Sequence, residues 1–533
     1  MQDIPSWHGK EAGVQALEEA ALRLHPNDDV AIARRELHEG EAFRIRGETG
    51  EEILTLGATI PAGHKLALRS MAEGEAVRRY GQVIGFASRP ILVGEYVHTH
   101  NLGIMDFERQ AVFGVDAQAV EILPEDKRRT FQGYRRPNGR AGTRNYLAVI
   151  STVNCSAHVC LEIAHYFSPE KLAKYPNVDG VIALAHPYGC SMRIDSPNYF
   201  LLQRTLAGMA QNPNVGAYVI VGLGCETNQA DALISNCGLC LGGLGWTNDR
   251  APVLEIQKLG GIRKTVQAGI ETIESLLPEV NHVARTRVPI SELTLALQCG
   301  GSDAWSGVTA NPVVGLAADE LVRQGGTVVL GETTEIYGAE HLLARRAANQ
   351  EIGEKLIGMV GWWQDYASKM DVEVDNNRSV GNAAGGLTTI YEKSLGAIAK
   401  GGGTPLNGVY DYAEQVTARG FTFMNTPGYD PAAVTGQVAG GCNMVLFTTG
   451  RGSVFGFKPA PSIKISTNSE LYLRMKEDMD LDAGVALEGK PMQAVAAELF
   501  ELVIEVASGS PSKSEVQGVG EAEFIPWQVS GVL

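Results

Sequence analysis

The pattern of apolar and polar positions changes twice along the chain. Apolar residues at helical spacing over residues 10–24 predict a short leading helix. Over residues 28–102, short apolar runs alternate with turn residues, which predicts a small β-rich domain. From Gly133 onward, apolar runs of about four to eight residues alternate with amphipathic stretches, a pattern typical of an α/β region with parallel sheets.

These changes also predict the division into domains. We expect an N-terminal extension over 1–27, a β domain over 28–102 and a polar, mixed linker over 103–132. A break near residues 284–292 divides the α/β region into lobes over 133–290 and 291–533, which we expect to be two Rossmann-like lobes. The length of 533 residues agrees with several domains, because single cores rarely grow that large.

Charge and composition exclude several classes of protein. The net charge of −16 argues against nucleic acid as a partner, and an acidic substrate would need a few local cations or a metal. The N-terminus does not resemble a signal peptide, and no run of about 18 apolar residues predicts a membrane span. We therefore expect a cytoplasmic protein, whose eight cysteines are reduced thiols.

Four predicted strands end in polar residues that include a cysteine. If these strands share one sheet, their thiols meet at its carboxyl edge, where ligands bind in open α/β sheets. Thiolates favour iron or zinc, so an iron–sulfur cluster is one prediction and small buried side chains are the alternative. The four thiols belong to Cys155, Cys190, Cys225 and Cys299. The pair Cys237 and Cys240 has no second pair nearby and is interpreted as structural.

Histidines in the β domain give a second hypothesis for a metal site. His98 and His100 alternate along a predicted strand, so their imidazoles would lie on one face, and His64 at a turn could join them. Such a pair could hold a single iron when the small domain docks over the large one. The alternative is the polar face of an exposed strand.

Glycine-rich loops in the α/β region carry polar groups that could bind a substrate. Asn382 lies in a loop over 381–386, while Thr449 and Arg451 lie in a loop over 448–452 that follows a buried run. Arg451 is a candidate for binding a carboxylate, and Lys464 is a further candidate at the same edge. A tight turn and surface side chains are the alternatives. Neither loop matches a nucleotide-binding fingerprint, which argues against a nicotinamide dehydrogenase.

Longer motifs occur in order over residues 28–533. They are IPAGH at 60–64, YGQVIG at 80–85, GYRRPNG at 133–139, HPYGC at 186–190, GLGCE at 222–226, CGGSD at 299–303, TANP at 309–312 and TTGRG at 448–452. Together they resemble the altronate/galactarate dehydratase family. The resemblance implies that the β domain is a SAF-like domain with a β-clip fold.

The resemblance also implies a reaction and a cofactor. Members of the family remove water from a 2,3-dihydroxy acid to give a 2-keto-3-deoxy acid, and they depend on Fe²⁺ or a similar ion such as Mn²⁺. We expect a small sugar acid as the substrate and a homo-oligomer as the assembly. A related branch splits sulfite from sulfolactate, so this carbon–sulfur lyase activity is an alternative, as is a non-catalytic sugar-acid sensor.

Roles follow for three polar residues at the predicted strand ends. An acid or base is needed to move the α-proton and to protonate the departing hydroxyl. His186 is the first candidate for this role, and Glu226 and Asp303 are candidates for a second acid/base or a metal ligand. Whether the metal is held by the four cysteines or by the histidines is left open.

Overall fold

The computed structural model describes residues 15–47, 50–105, 107, 109, 111–240 and 251–529. Residues 1–14 of the predicted N-terminal extension lie outside this part of the chain. The leading helix predicted over 10–24 is wrong for its described residues, because only Leu17–Ala20 are helical and short strands flank them. A four-residue helix makes few internal hydrogen bonds, and the residues on either side of it pair with neighbouring strands instead.

The described strands are numbered in chain order. They are β1 (Gln15–Ala16), β2 (Ala21–Leu22), β3 (Val30–Ala33), β4 (Ala42–Gly47), β5 (Gly50–Thr55), β6 (Lys65–Ala67), β7 (Ala76–Arg79), β8 (Gln82–Ala87), β9 (Tyr96–Val97), β10 (Leu102–Gly103), β11 (Thr130–Arg135), β12 (Ala141–Gly142), β13 (Tyr146–Ser151), β14 (Gly180–Leu184), β15 (Val215–Gly222), β16 (Val253–Glu255), β17 (Thr286–Pro289), β18 (Thr294–Cys299), β19 (Thr327–Leu330), β20 (Leu406–Tyr410), β21 (Gly420–Met424), β22 (Met444–Thr449), β23 (Ser462–Ser466) and β24 (Leu481–Asp482).

The described helices are numbered in the same way. They are α1 (Leu17–Ala20), α2 (Asn154–Tyr166), α3 (Pro169–Leu172), α4 (Pro197–Ala210), α5 (Ala230–Cys237), α6 (Ile256–Leu259), α7 (Ile262–His282), α8 (Ala310–Arg323), α9 (Glu340–Ala344), α10 (Gln350–Lys369), α11 (Val380–Ala384), α12 (Ile390–Ile398), α13 (Asp430–Ala439), α14 (Ser469–Arg474), α15 (Met492–Ala507) and α16 (Lys513–Val516). None of them is long and apolar enough to cross a membrane.

The chain separates into two compact units. The first contains the described residues of 1–107 and the segment 378–392, and the second contains the described residues of 108–377 and 393–533. Nothing in the sequence pattern indicates that 378–392 belongs with the first unit. The described part of the first unit is β-rich, with small sheets in the orders β1-β4-β5, β2-β3-β6-β9 and β10-β8-β7. Phe43, Ile60 and Leu66 are among the buried residues of its core.

The second unit contains two parallel sheets, as the hydrophobic pattern predicts. One has the order β14-β13-β15-β16, and the other has the order β20-β21-β19-β18-β22-β23-β24. Strands β13, β15 and β22 are buried along their whole length, because helices cover both faces of a parallel sheet. An antiparallel ribbon in the order β12-β11-β17 accompanies them. The predicted fold class, a small β-rich domain followed by an α/β region, is confirmed.

Close helix packing joins the two parallel sheets into one core. Helices α4 and α13 approach each other at Gly208, where a Cβ atom would lie 2.2 Å from the Ala439 carbonyl oxygen. A side chain at this position would force the helices apart, so only glycine permits the contact. Buried residues from both sheets, including Val219 and Val445, belong to the same hydrophobic cluster.

Candidate active site

A buried cluster of acidic groups lies at the carboxyl edge of the seven-stranded sheet. Cys299 is the last residue of β18, and Glu332 and Glu335 lie in the turn after β19. All three side chains are buried, and their Sγ and carboxylate oxygen atoms lie within 4.8 Å of one another. Among the described residues, no other three side chains of His, Cys, Asp or Glu come together this closely.

Two buried lysines face these groups. The Lys400 Nζ lies 2.7 Å from the Cys299 Sγ and 3.6 Å from a Glu332 oxygen. The Lys393 Nζ lies 2.7 Å from a Glu335 oxygen and also donates to the Asn377 carbonyl at 3.0 Å. Buried ammonium groups are costly unless they are paired, so the carboxylates hold both lysines in the charged form.

Helix α13 adds a third carboxyl group. Asp430 is its first residue, and a Cβ atom on Gly300 would lie only 2.3 Å from the Asp430 Oδ2. The glycine after Cys299 therefore gives Asp430 room beside the strand end. Glu332 has φ +63°, a left-handed conformation that side chains rarely adopt, and its amide donates to the Thr426 hydroxyl at 2.6 Å. Such strained residues cluster at functional sites.

The cluster contains more acidic groups than cations, and the pKa values reflect this excess. Burial raises the pKa of Cys299 to about 12, against the attraction of Lys400. Burial and then Glu335 raise the pKa of Glu332 well above its usual value, and the same two causes raise that of Asp430 to about 7. Burial alone would lower the pKa of Lys400, but the attraction of Cys299 and Glu332 outweighs burial and raises that pKa. Asp430 is therefore the group of this cluster whose pKa is raised to near neutral pH.

Comparison with known proteins assigns all three parts of the chain. Residues 19–104 match the altronate/galactarate dehydratase SAF domain, 133–281 match the second domain of D-galactarate dehydratase/altronate hydrolase, and 290–532 match the C-terminal domain of D-galactarate/altronate dehydratase. The chain belongs to the D-galactarate/altronate dehydratase family. The family resemblance seen in the sequence, the SAF domain and the enzyme class, a hydro-lyase, are confirmed.

Curated relatives of the family align with most of the chain. Altronate dehydratase of Bacillus subtilis (strain 168) is 35% identical over 494 residues, which are 92% of this chain and 95% of that protein. Galactarate dehydratase (L-threo-forming) of Escherichia coli (strain K12) is 36% identical over 499 residues, 92% of each chain. The (2R)-sulfolactate sulfo-lyase subunit beta of Chromohalobacter salexigens is 34% identical over 409 residues, 75% of this chain and 98% of that subunit.

The structure separates the four strand-end cysteines that the sequence grouped. Cys155, Cys190 and Cys225 follow β13, β14 and β15 of the four-stranded sheet, whereas Cys299 ends β18 of the seven-stranded sheet. The expectation that all four strands share one sheet is therefore wrong. The four apolar runs look alike in the sequence, and only the pairing of the strands decides which sheet each run joins. The metal-binding role of these thiols stays a prediction.

His186 and Glu226 are bound by the backbone of their own sheet edge. The His186 Nε2 lies 2.9 Å from the Ser151 carbonyl, its Nδ1 accepts from the Tyr188 amide at 3.2 Å, and burial lowers its pKa to about 4. Glu226 accepts from the Thr152 hydroxyl at 2.6 Å and from the amides of residues 223 and 224. Their predicted catalytic roles are untested, and these hydrogen bonds favour structural positions for both side chains.

Asp303 organises the loops of the seven-stranded sheet. Its buried carboxylate accepts from the hydroxyls of Ser306 and Thr467 and from the Asn468 amide, at 3.0–3.2 Å. A Cβ atom on Gly450 would lie 2.1 Å from this carboxyl group, so the TTGRG loop packs directly on it. Burial raises the pKa of Asp303, although these hydrogen bonds oppose the shift. Asp303 therefore positions the loop, and its predicted acid/base role remains untested.

The predicted substrate-binding residues are distributed over both units. Thr449 ends β22, and its hydroxyl accepts from the Gly452 amide at 3.1 Å, while Arg451 is exposed in the same loop. Lys464 is buried on β23, and its ammonium group makes no hydrogen bond with the described residues. Asn382 lies in the first unit, where it forms a reciprocal cap with Ser379 at the start of α11.

The three histidines predicted as alternative metal ligands lie in the first unit, but two of them are not on a strand. Strand β9 ends at Val97, and the His98 carbonyl accepts the amides of residues 101 and 102, so His98 and His100 are in a turn. The predicted period-two alternation is therefore wrong. The rings of His64 and His98 stack at 5.3 Å, and the His64 Nδ1 lies 2.6 Å from the Tyr96 hydroxyl. Burial lowers the pKa of His64 to about 4.

Sequence reasoning missed most of the acidic cluster. Glu332 and Glu335 directly follow the apolar run 327–330, so the rule that singled out the cysteine-bearing strand ends would have found them. Lys393, Lys400 and Asp430 have no comparable signal. These three residues belong to helices and turns, and only tertiary packing brings them to the carboxyl ends of β18 and β19.

Proposed function

We propose that this protein is a hydro-lyase that removes water from a sugar acid, an altronate-like aldonate or a galactarate-like aldarate, to give a 2-keto-3-deoxy acid. The observation that carries the proposal is the buried cluster of Cys299, Glu332 and Glu335 beside two lysines. It brings groups suited to binding a metal, carrying protons and supplying positive charge to one strand-end edge, where α/β sheets bind ligands.

The donor set of the cluster fits a divalent metal ion such as Fe²⁺ or Mn²⁺. A thiolate and two carboxylates suit such ions, and their ligand atoms lie within 4.8 Å of one another. A cation bound by Cys299, Glu332 and Glu335 would polarise the substrate carboxylate and its 2-hydroxyl as a Lewis acid. It would also offset the surplus acidic groups, which burial otherwise keeps protonated.

Asp430 is the proposed acid/base for the α-proton. Its pKa of about 7 matches the range in which a group can both accept and return a proton at neutral pH. Its carboxylate would take the proton from C2, and a protonated group of the cluster would supply the proton with which the 3-hydroxyl leaves as water. The resulting enol then tautomerises to the 2-keto acid.

The lysines and the TTGRG loop would stabilise and orient the substrate. Lys393 and Lys400 are held in place by carboxylates, so they can stabilise the negative charge that develops on the enediolate without rearranging. Arg451 lies in the loop that Asp303 positions and would bind the distal part of the substrate through its guanidinium group.

The test is anaerobic purification followed by an assay for 2-keto acid release from altronate, galactarate and related acids. We expect turnover that a chelator abolishes and that added Fe²⁺ or Mn²⁺ restores. Glu335→Gln should lower turnover by about 10³-fold, within the range for lost acid/base and electrostatic groups, whereas Glu354→Gln on exposed α10 should not. Full turnover by Glu335→Gln, or no 2-keto acid from any sugar acid, would refute the proposal.

Release of sulfite from sulfolactate is the second candidate function. The alignment covers 98% of a sulfolactate sulfo-lyase subunit, which supports this second candidate. Both reactions begin with loss of the α-proton, so the same cluster could serve either. The two differ only in the leaving group, and a sulfite assay with sulfolactate beside the sugar acids distinguishes them.

A further inference from the structure

Three cysteines are exposed at the carboxyl edge of the four-stranded sheet. Cys155, Cys190 and Cys225 follow the adjacent strands β13, β14 and β15, and they are exposed, whereas Cys160, Cys299 and Cys442 are buried and Cys237 and Cys240 are partly buried. Free cysteine is among the most buried residue types in proteins. Three exposed thiols on three neighbouring strand ends therefore call for a chemical reason.

Hydrogen bonds connect the three cysteine-bearing segments. The Asn154 amide donates to the Tyr188 carbonyl at 2.8 Å, which places the first turn of α2, with Cys155, against the loop of Cys190. The Asn228 amide donates to the Gly189 carbonyl at 3.0 Å, and its side chain donates to the Thr152 carbonyl at 3.0 Å. The loop of Cys225 is thus fixed to both of the others.

Two glycines next to the cysteines allow this close packing. Gly189 has φ +103°, and a Cβ atom there would lie 2.3 Å from the Thr152 carbonyl oxygen. Gly224 has φ +123°, and a Cβ atom there would lie 2.6 Å from the Gln257 amide oxygen. A Cβ atom at Gly189 would meet backbone atoms, and the positive φ at both positions favours glycine, so the backbone turns are set at the points that present Cys190 and Cys225. The site is therefore built by the fold, and its thiols are not randomly placed surface residues.

The spacing of the three thiols does not suit a single ion bound by all of them. Thiolates on one tetrahedral zinc lie about 3.8 Å apart, from a Zn–S distance of about 2.3 Å. Among the described residues, the three Sγ atoms do not form a group within 4.8 Å. An iron–sulfur cluster spreads its thiolates more widely, because each binds a different iron.

We propose that Cys155, Cys190 and Cys225 bind a [4Fe–4S] cluster, whose fourth iron has no cysteine ligand from this site. Each thiol loses its proton as its sulfur bonds to one iron, and the cluster keeps its oxidation state. The site shares no residue with the acidic cluster of Cys299, Glu332 and Glu335, and it does not depend on the proposed dehydration. Gln257 would support it, since its amide donates to the Cys225 Sγ at 3.3 Å.

The experiment is iron and acid-labile sulfide analysis of the full chain purified without oxygen, with its absorption spectrum. We expect about four sulfide ions per chain and about four iron ions in addition to any iron bound at the acidic cluster. The triple variant Cys155→Ser/Cys190→Ser/Cys225→Ser should lose the sulfide and the cluster absorption. Cys237→Ser and Cys299→Ser are the matched controls and should keep the sulfide, and circular dichroism should show that all variants are folded.

The outcomes separate this proposal from the proposed function. Sulfide retained in the folded triple variant, or a wild-type chain with iron or zinc but no sulfide, would overturn the cluster. If the triple variant is unfolded, the single variants decide: partial loss of sulfide in each supports the site, and unchanged sulfide overturns it. Cys299→Ser should lose keto-acid release while keeping sulfide. The sulfide measurement therefore tests the iron–sulfur cluster even if the dehydratase assay fails.

Discussion

Two buried sets of lysine and glutamate side chains, one in each unit, show opposite balances of charge. In the first unit, Glu392 accepts from Lys65 at 2.9 and 3.0 Å, is paired with Arg79, and receives the Thr388 hydroxyl at 2.7 Å. Here two cations surround one carboxylate. In the second unit, three carboxyl groups and a thiol face two lysines.

The pKa shifts follow the group that is in surplus. Burial alone would raise the pKa of Glu392, but Lys65 and Arg79 lower it to about 2, while burial lowers that of Lys65 to about 8. In the acidic cluster, burial raises the pKa of Asp430 to about 7. A carboxylate held permanently charged stabilises a fold, whereas one poised near neutral pH can move protons. The same residue types therefore hold a fixed charge in the first unit and, under the proposed function, exchange protons in the second.

The largest expected effect is the loss of a cation from the acidic cluster. Lys400→Met leaves Cys299 and Glu332 without their ammonium partner, and we expect turnover to fall by about 10³-fold because transition-state charge is no longer stabilised. Steady-state keto-acid release measures this effect. Lys355→Met, an exposed change on α10, is the control, and equal rates for the two variants would contradict the comparison.

Removing the carboxylate of the first unit should affect stability. Glu392→Gln leaves Lys65 and Arg79 buried without a counter-charge, which should cost about 3–5 kcal/mol in the free energy of unfolding. Urea denaturation of that variant, beside Glu501→Gln in an exposed pair, measures the difference. The exposed pair should contribute under about 1 kcal/mol. Equal losses would show that burial does not set the strength of the pair.

Asp430 should give a pH dependence that its amide variant lacks. As a base it must be deprotonated, so kcat/KM should rise with pH up to about 7 and then level off. Because its folded pKa lies above the unfolded value, its contribution to stability should be present below about pH 4 and be lost as pH rises through about 7. Asp430→Asn should remove both effects, and an unchanged inflection would assign it to another group.

The charge of Glu392 should act on stability in the opposite direction. Its folded pKa of about 2 lies below the unfolded value of about 4.3, so its contribution is present above pH 4.3 and is lost as pH falls towards 2. Acid denaturation of wild type and Glu392→Gln should therefore differ most above about pH 4. Curves that stay parallel down to pH 2 would contradict this assignment.

The smallest expected effect is the loss of one hydrogen bond to Glu392. Thr388→Val removes the hydroxyl but keeps the backbone amide, which donates to the same oxygen at 2.8 Å. We expect a loss of about 1–2 kcal/mol in the free energy of unfolding, because hydrogen bonds to charged groups contribute slightly more than neutral ones. A loss as large as that of Glu392→Gln would mean that Thr388, and not charge, holds the set together.

The amino-acid sequence by itself determined the fold class and the position of the chemistry along the chain. Periods of two and of 3.6 residues distinguish the β-rich segment from the α/β region, and runs such as 293–297 and 444–447 become buried parallel strands. Polar residues directly after such runs marked Cys299 and the loop of Arg451. These features depend on residues close together in the sequence, so they can be recognised without knowing how the strands pair.

Only the tertiary structure decided which residues meet. Strand pairing separated Cys299 from Cys155, Cys190 and Cys225, and packing brought Lys400 to within 2.7 Å of Cys299, 101 residues away in the chain. It also ended β9 before His98 and placed the segment 378–392 with the first unit. Burial then set the pKa values, because the cost of a charge depends on its surroundings and not on its neighbours in sequence.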